Sequence, residues 1–121
     1  MHRTRIAMVL GDPAGIGPEL VARLLADPAM RSQAHVVLIA DEAEMRRGMD
    51  IAGVAFPYRQ VDSLANLDFA DDTPLFYNFR GDTSGAFARS EASVEGGRYC
   101  LATLQVAVEL TAAKVTNAVL F

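Results

Sequence analysis

Gly11-Asp12-Pro13-Ala14-Gly15-Ile16-Gly17-Pro18-Glu19 is the stretch of this 121-residue chain that decides its fold. Glycine opens positive φ, and proline fixes φ while removing an amide donor, so the backbone path of this loop is closely specified. The preceding apolar run Ile6 to Leu10 is too short for a helix and suits a strand buried on both faces. Pro18 fits the first turn of a helix, and Glu19 places negative charge at the positive end of its dipole. The stretch therefore predicts a strand, a glycine loop and a helix.

The same strand and helix pattern then repeats. His35 to Ala40 predicts a second buried strand, and Asp41 would cap a helix that runs to about Ala52 and ends at Gly53. Two such units in succession favour a parallel sheet. Three more strands are predicted at residues 54–61, 75–79 and 117–121, the last of them buried, and Pro57 would place the first at a sheet edge or end it early. The predicted fold class is α/β, a mostly parallel sheet with flanking helices.

Two helices carry predicted apolar faces. The first helix, which would end near Asp27, buries Leu20, Val21, Leu24 and Leu25 in this interpretation. A long helix that begins near Ser93 would bury Tyr99, Cys100, Leu104, Ala107, Val108 and Leu110. Gly96 and Gly97 weaken the first turn of the long helix, which suggests the close approach of a backbone or a ligand there.

Composition limits the classes of protein that fit. The chain has the length of one domain, and its hydrophobic content of 51% can form a core. A net charge of -4 gives no broad attraction to nucleic acid or anionic lipid. Cys100 is the single cysteine, and no secretory signal or membrane-length apolar run occurs. We expect a cytoplasmic protein with no nucleic-acid or membrane partner.

The glycine loop matches neither common phosphate-binding motif. A dinucleotide fingerprint read from Gly15 would need glycine where Leu20 stands, and no Lys-Ser or Lys-Thr pair follows Gly17. Pro18 removes an amide donor, and Glu19 repels anions. Two interpretations stay open: the loop contacts the sugar or base of a nucleotide, or its glycines only allow a tight turn packed beneath a neighbour.

Candidate catalytic groups are scarce. His2 lies near the terminus, and His35 opens a strand with no acidic or thiol group at metal-ligand spacing. Cys100 falls on an apolar helix face, where burial makes a thiol inert. In the segment from residue 80 to 93, which has the length of a functional loop, Ser93 would cap the long helix. Arg80, Arg89 and Arg98 lie in or beside that loop and could bind an anionic substrate group.

The opening stretch resembles the N-terminal signature of the 4-hydroxythreonine-4-phosphate dehydrogenase family of vitamin B6 biosynthesis. Ser93-Val94-Glu95-Gly96-Gly97-Arg98-Tyr99 looks like the Ser-x-x-x-Gly helix start of that family, and residues 118–121 are similar to its next strand. The resemblance covers the whole chain but only roughly the first third of a family member, which exceeds the size of one domain. It implies that residues 1–121 are one α/β segment, the N-terminal portion of a two-domain enzyme with a fold like that of isocitrate and isopropylmalate dehydrogenases.

The resemblance also implies the chemistry of the longer protein. Family members are homodimers that use NAD and a divalent metal, such as zinc, magnesium or cobalt, to oxidise and decarboxylate a phosphorylated hydroxy acid. Their metal ligands and substrate contacts have no counterpart among these residues, so the resemblance gives this chain no catalytic or metal-binding residue. Related loops lie near the adenosine side of the cofactor, which gives Gly15, Ile16 and Gly17 a cofactor-binding role, with Ile16 beside the adenine.

Other substrates and functions remain open at this point. Relatives of the biosynthetic enzyme act on threonate or erythronate 4-phosphate, and others act on aromatic cis-dihydrodiols. There are two alternatives to an enzyme: a non-catalytic fragment and an unrelated nucleotide-binding α/β module. Even if the full-length protein is an enzyme, we expect residues 1–121 alone to be inactive.

Overall fold

A five-stranded parallel sheet forms the centre of the computed structural model, which describes residues 3–80, 87 and 91–121. The strands lie in the order β3-β4-β2-β1-β5. This arrangement confirms the predicted α/β class. In chain order the elements are β1 (Thr4–Val9), α1 (Gly17–Ala26), α2 (Pro28–Arg31), β2 (Ala34–Ala40), α3 (Glu42–Ala52), β3 (Arg59–Val61), β4 (Leu75–Asn78), α4 (Val94–Ala112) and β5 (Ala118–Leu120).

The central strands are buried on both faces, as their continuous apolar runs predict. Side chains of one face, including Met8 and Leu38, pack with Leu25 of α1 and Met45 of α3. Side chains of the other face pack with α4, chiefly through Ala107, in a second core cluster. The sheet therefore lies between α1 and α3 on one side and α4 on the other.

Both predicted helix faces need a correction. Leu20 and Val108 were expected to be buried, but 55% and 51% of their surfaces are exposed. Small residues take the buried positions instead, Ala22 on α1 and Thr103 on α4. Thr103 can be buried because its hydroxyl donates to the backbone oxygen of Tyr99 at 3.0 Å.

The outer strands are shorter than predicted. Only Arg59–Val61 of the expected strand at residues 54–61 is extended, at one edge of the sheet beyond Pro57. β5 was predicted to be buried, but it forms the opposite edge, where Phe121 is 80% exposed. The prediction was wrong because an apolar run has the same appearance at the centre and at an uncovered edge. Within the described residues, no helix is both long and apolar enough to span a membrane.

Candidate functional site

The carboxyl ends of β1, β2 and β4 meet at one edge of the sheet, where parallel α/β proteins bind their ligands. The glycine loop follows β1, Asp41 follows β2, and Phe79 with Arg80 follows β4. The first turn of α4 lies against the glycine loop, because a Cβ atom at Gly96 would be 3.4 Å from Asp12 Oδ1. The sheet topology thus brings together three segments that are far apart in the sequence.

The glycine loop is a fixed turn with an exposed apolar tip. The amide of Gly15 donates to the backbone oxygen of Asp12 at 2.9 Å, and the amide of Ala14 donates to Asp12 Oδ1 at 2.9 Å. A Cβ atom at Gly17 would lie 1.8 Å from the backbone oxygen of Leu10, so no larger residue fits there without movement. Ile16, between the two glycines, is 65% exposed. The packing interpretation holds for Gly17, and the cofactor role of residues 15–17 stays a prediction.

The first turn of α4 has the predicted cap. Ser93 Oγ accepts a hydrogen bond from the amide of Gly96 at 2.9 Å. A Cβ atom at Gly96 would meet Ser93 Oγ at 3.0 Å and the ring of Pro13 at 3.5 Å, so side chains approach this residue closely where a backbone or a ligand was predicted, and the approach of a ligand stays a prediction. A Cβ atom at Gly97 would have no described heavy atom within 4 Å, so no described backbone approaches this residue, and the approach of a ligand there stays a prediction.

Asp41 does not cap α3 as predicted. Its side chain makes no capping hydrogen bond and is fully buried, with Oδ2 lying 3.8 Å from Nη1 of Arg80. The amide of Glu42 at the start of α3 donates instead to Asn78 Oδ1 at 3.3 Å. The backbone amide of Asp41 donates to the Tyr99 hydroxyl at 2.7 Å. Burial, with the charges of Asp41 and Glu44 adding to it, raises the pKa of Tyr99 far above its ordinary value, so this hydroxyl stays protonated.

Glu44 and Arg47 of α3 form an ion pair that contacts the glycine loop at Pro13 and the chain after β4 at Phe87. Glu44 is fully buried, and its Oε1 accepts the amide hydrogen of Phe87 at 3.1 Å. The guanidinium of Arg47 donates to the backbone oxygens of Phe87 at 2.8 Å and Pro13 at 3.4 Å. The sequence analysis missed this pair. Gly48 could have indicated that this face of α3 is closely packed, because a glycine within a helix often marks close packing. Glu44 lies on the same face, four residues earlier, so its burial could have been predicted.

A cleft of about 450 Å³ opens beside these groups, lined by Phe79, Arg80, Phe87, Glu95, Arg98, Tyr99 and Ala102. Arg80 and Arg98, predicted to act on one anion, do line the same cleft. The central carbon of the Arg80 guanidinium lies 4.3 Å from the centroid of the Phe87 ring, and that ring lies 5.0 Å from the ring of Tyr99. Arg89, the third predicted arginine, lies outside the described residues. The cleft presents the cations of Arg80 and Arg98 beside aromatic walls, together with the carboxylate of Glu95, and Asp41 lies 3.8 Å from Arg80. Planar guanidinium groups in such a place can bind a small anionic group.

The remaining candidates form no reactive set. Nδ1 of His35 lies 3.2 Å from the backbone oxygen of Asp71, and its ring packs against Phe69. Cys100, predicted to be buried and inert, is only partly buried, and that burial, with the charge of Asp12, raises the pKa of its thiol. Across residues 3–80, 87 and 91–121, no three His, Cys, Asp or Glu side chains are grouped to hold a metal ion. His2 lies outside the described residues.

Comparison with known proteins supports one resemblance, although no family model matches the chain. A Pseudomonas aeruginosa protein provisionally named 4-hydroxythreonine-4-phosphate dehydrogenase 2 is 64% identical over 117 residues, which are 97% of this chain and 35% of that protein. A Pasteurella multocida protein with a similar provisional name is 37% identical over 123 residues, covering 100% of this chain and 36% of that protein. The crystal structure of a 4-hydroxythreonine-4-phosphate dehydrogenase from Burkholderia phymatum shares the fold, with a TM-score of 0.83 at 21% identity over 98% of this chain and 36% of that one. The predicted resemblance is confirmed, and the chain spans about a third of the length of these relatives.

Proposed function

Because this chain is homologous to about a third of the length of the 4-hydroxythreonine-4-phosphate dehydrogenases, we propose that it is part of an NAD-dependent, metal-dependent dehydrogenase. The proposed reaction is oxidation, with decarboxylation, of a phosphorylated hydroxy acid such as 4-hydroxythreonine 4-phosphate. The observation that supports this best is the 64% identity to the Pseudomonas aeruginosa relative over nearly the whole chain. The working enzyme is proposed to be a homodimer.

The described residues suit the binding half of this task. The exposed Ile16 offers an apolar surface to the adenine, and the fixed turn around it holds that surface at the carboxyl edge of the sheet. NAD, when bound, supplies the acceptor for the hydride that leaves the substrate. Arg80 and Arg98 offer their cleft to an anionic group of the substrate.

The divalent metal needs ligands from elsewhere. Within the described residues no group of acidic, imidazole or thiol side chains could hold it. Such ions are bound by clusters of carboxylate, imidazole or thiolate groups. The ligands of the metal are therefore proposed to lie outside the described residues.

The direct test is a substrate panel with the full-length protein. Reduction of NAD and of NADP is followed by nicotinamide absorbance with 4-hydroxythreonine, threonate and erythronate 4-phosphates and with an aromatic cis-dihydrodiol. The protein is stripped with a chelator and then supplied with zinc, magnesium or cobalt. We expect metal-dependent reduction of NAD with a phosphorylated acid and none by residues 1–121 alone. No reduction with any phosphorylated acid would refute the proposal, and turnover of the dihydrodiol alone would reassign the substrate.

A second test addresses the cofactor role of the glycine loop. Ile16→Asp should raise the KM for NAD at least about tenfold, because a buried contact with the adenine would be replaced by a carboxylate. The KM for the substrate should change less. Ile51→Asp is the matched control, because Ile51 is 53% exposed at the far end of α3. Equal rises in both KM values for Ile16→Asp would favour a loop that only packs.

A further inference from the structure

The buried pair of Glu44 and Arg47 binds both backbone polar groups of one residue. Glu44 Oε1 accepts the Phe87 amide hydrogen at 3.1 Å, while Arg47 Nη1 donates to the Phe87 oxygen at 2.8 Å. Oε2 of Glu44 pairs with Nη2 of Arg47, which also donates to the oxygen of Pro13 at 3.4 Å. One ion pair on α3 thus binds Pro13 of the glycine loop and Phe87 of the cleft that Arg80 and Arg98 line.

The pair differs from an ordinary pair on a helix surface. An exposed ion pair contributes little, and a buried one is tolerated when further hydrogen bonds satisfy both partners. The same helix offers the contrast, because Glu42 and Arg46 also pair but leave 31% and 61% of their side chains exposed. In the Glu44 and Arg47 pair those values are 0% and 22%, and the further bonds all go to the backbones of Pro13 and Phe87. Together with the ion pair itself, these bonds use both oxygens of Glu44 and both terminal nitrogens of Arg47, while the buried Nε of Arg47 has no partner among the described residues. The buried pair is therefore built to hold other segments rather than to stabilise its own helix.

The position of Phe87 matters because its ring supports a cation. The ring centroid lies 4.3 Å from the central carbon of the Arg80 guanidinium and 5.0 Å from the centroid of the Tyr99 ring. Asp41 lies 3.8 Å from the same guanidinium. A shift of Phe87 would remove the aromatic face that holds this guanidinium at the cleft.

We propose that Glu44 and Arg47 are positioning residues that hold Phe87 beneath Arg80 and so fix the Arg80 guanidinium for an anionic substrate group. The inference rests on the proposed function, since it takes the cleft to be the place where the anion binds. Neither residue contacts the anion itself. The bond from Arg47 to Pro13 is long, at 3.4 Å, so the proposal concerns Phe87 and not the glycine loop.

The test uses the full-length protein with three changes. The double variant Glu44→Gln with Arg47→Met removes the pair without leaving a lone buried charge. Arg47→Lys keeps the positive charge but loses the planar guanidinium, which donates two parallel hydrogen bonds. Arg46→Met changes the exposed pair and is the control. The double variant should raise the KM for the phosphorylated substrate and the Kd for inorganic phosphate about tenfold. The KM for NAD of the double variant should change less than about twofold. For Arg47→Lys, the KM for the phosphorylated substrate and the Kd for phosphate should lie between those of wild type and the double variant. Arg46→Met should match wild type.

Two results would overturn the inference. A double variant with a lower unfolding temperature but an unchanged KM and phosphate Kd in its folded fraction would show a structural role alone. Equal effects of Arg46→Met would show a general charge effect. If wild type reduces no NAD, the proposed function fails, and the inference is then judged by phosphate binding together with chymotrypsin cleavage after Phe87. Faster cleavage and weaker phosphate binding in the double variant support it, and an unchanged value of either one refutes it.

Discussion

Alanine at Gly17 should destabilise the protein strongly, whereas alanine at Gly97 should not. The new Cβ atom at Gly17 would stand 1.8 Å from the backbone oxygen of Leu10 and 3.0 Å from its carbonyl carbon. Overpacking a well-filled site costs about 1–3 kcal/mol, and a clash with backbone that cannot rotate away belongs at the upper end of that range. At Gly97 no described atom lies within 4 Å, so alanine there should gain up to about 1 kcal/mol from helix propensity.

The two variants should therefore differ by about 4 kcal/mol in the free energy of unfolding. Urea unfolding of the full-length protein, followed by circular dichroism, measures that difference, and hydrogen exchange in β1 assigns it to this part of the molecule. The free energy of unfolding of Gly96→Ala should lie between those of the other two variants, because the new Cβ atom would lie 3.0 Å from the Ser93 hydroxyl. A Gly17→Ala variant within about 0.5 kcal/mol of wild type would refute the reasoning, since ordinary surface substitutions have effects of that size.

Two more predictions concern buried groups near the site. Tyr99→Phe removes the acceptor of the Asp41 amide, so it should cost about 1–3 kcal/mol in unfolding free energy and accelerate hydrogen exchange at Asp41; an unchanged exchange rate would contradict this. Because burial raises the pKa of the Cys100 thiol, its alkylation rate should reach half its maximum at a higher pH in the folded protein than in urea. A midpoint that is equal or lower in the folded protein would contradict that cause.

The central part of the fold could be predicted from the sequence. Runs such as residues 35–40 are apolar at nearly every position, which indicates strands covered on both faces, and Gly53 marks the end of α3 by its positive φ of 69°. The position of β5 could not be predicted in this way. The order of strands in a sheet depends on pairing between segments that are distant in the sequence. An apolar run does not indicate whether another element covers it.

The candidate site was predicted only in part for the same reason. Ser93 acts on its own helix turn, so local spacing identified it. Asp41 follows the same local rule, but the distant cation of Arg80 lies beside its carboxylate in the folded chain. Glu44 and Arg47 have the spacing of a surface pair, and only the folded chain shows the backbones that they bind. Properties set within one turn of helix are readable in sequence, and those set between elements are not.

The place of β1 in the sheet has a consequence for synthesis on the ribosome. One neighbour, β2, follows soon after β1, but the other is β5, and the Arg5 amide finds its partner in Asn117, 112 residues later. At about 5–20 residues per second, translation leaves one edge of β1 unpaired for roughly 6–20 seconds. During that interval the unpaired backbone groups along one side of this apolar strand can form hydrogen bonds with other chains. The nascent chain should therefore be a client for chaperones until β5 has emerged from the exit tunnel.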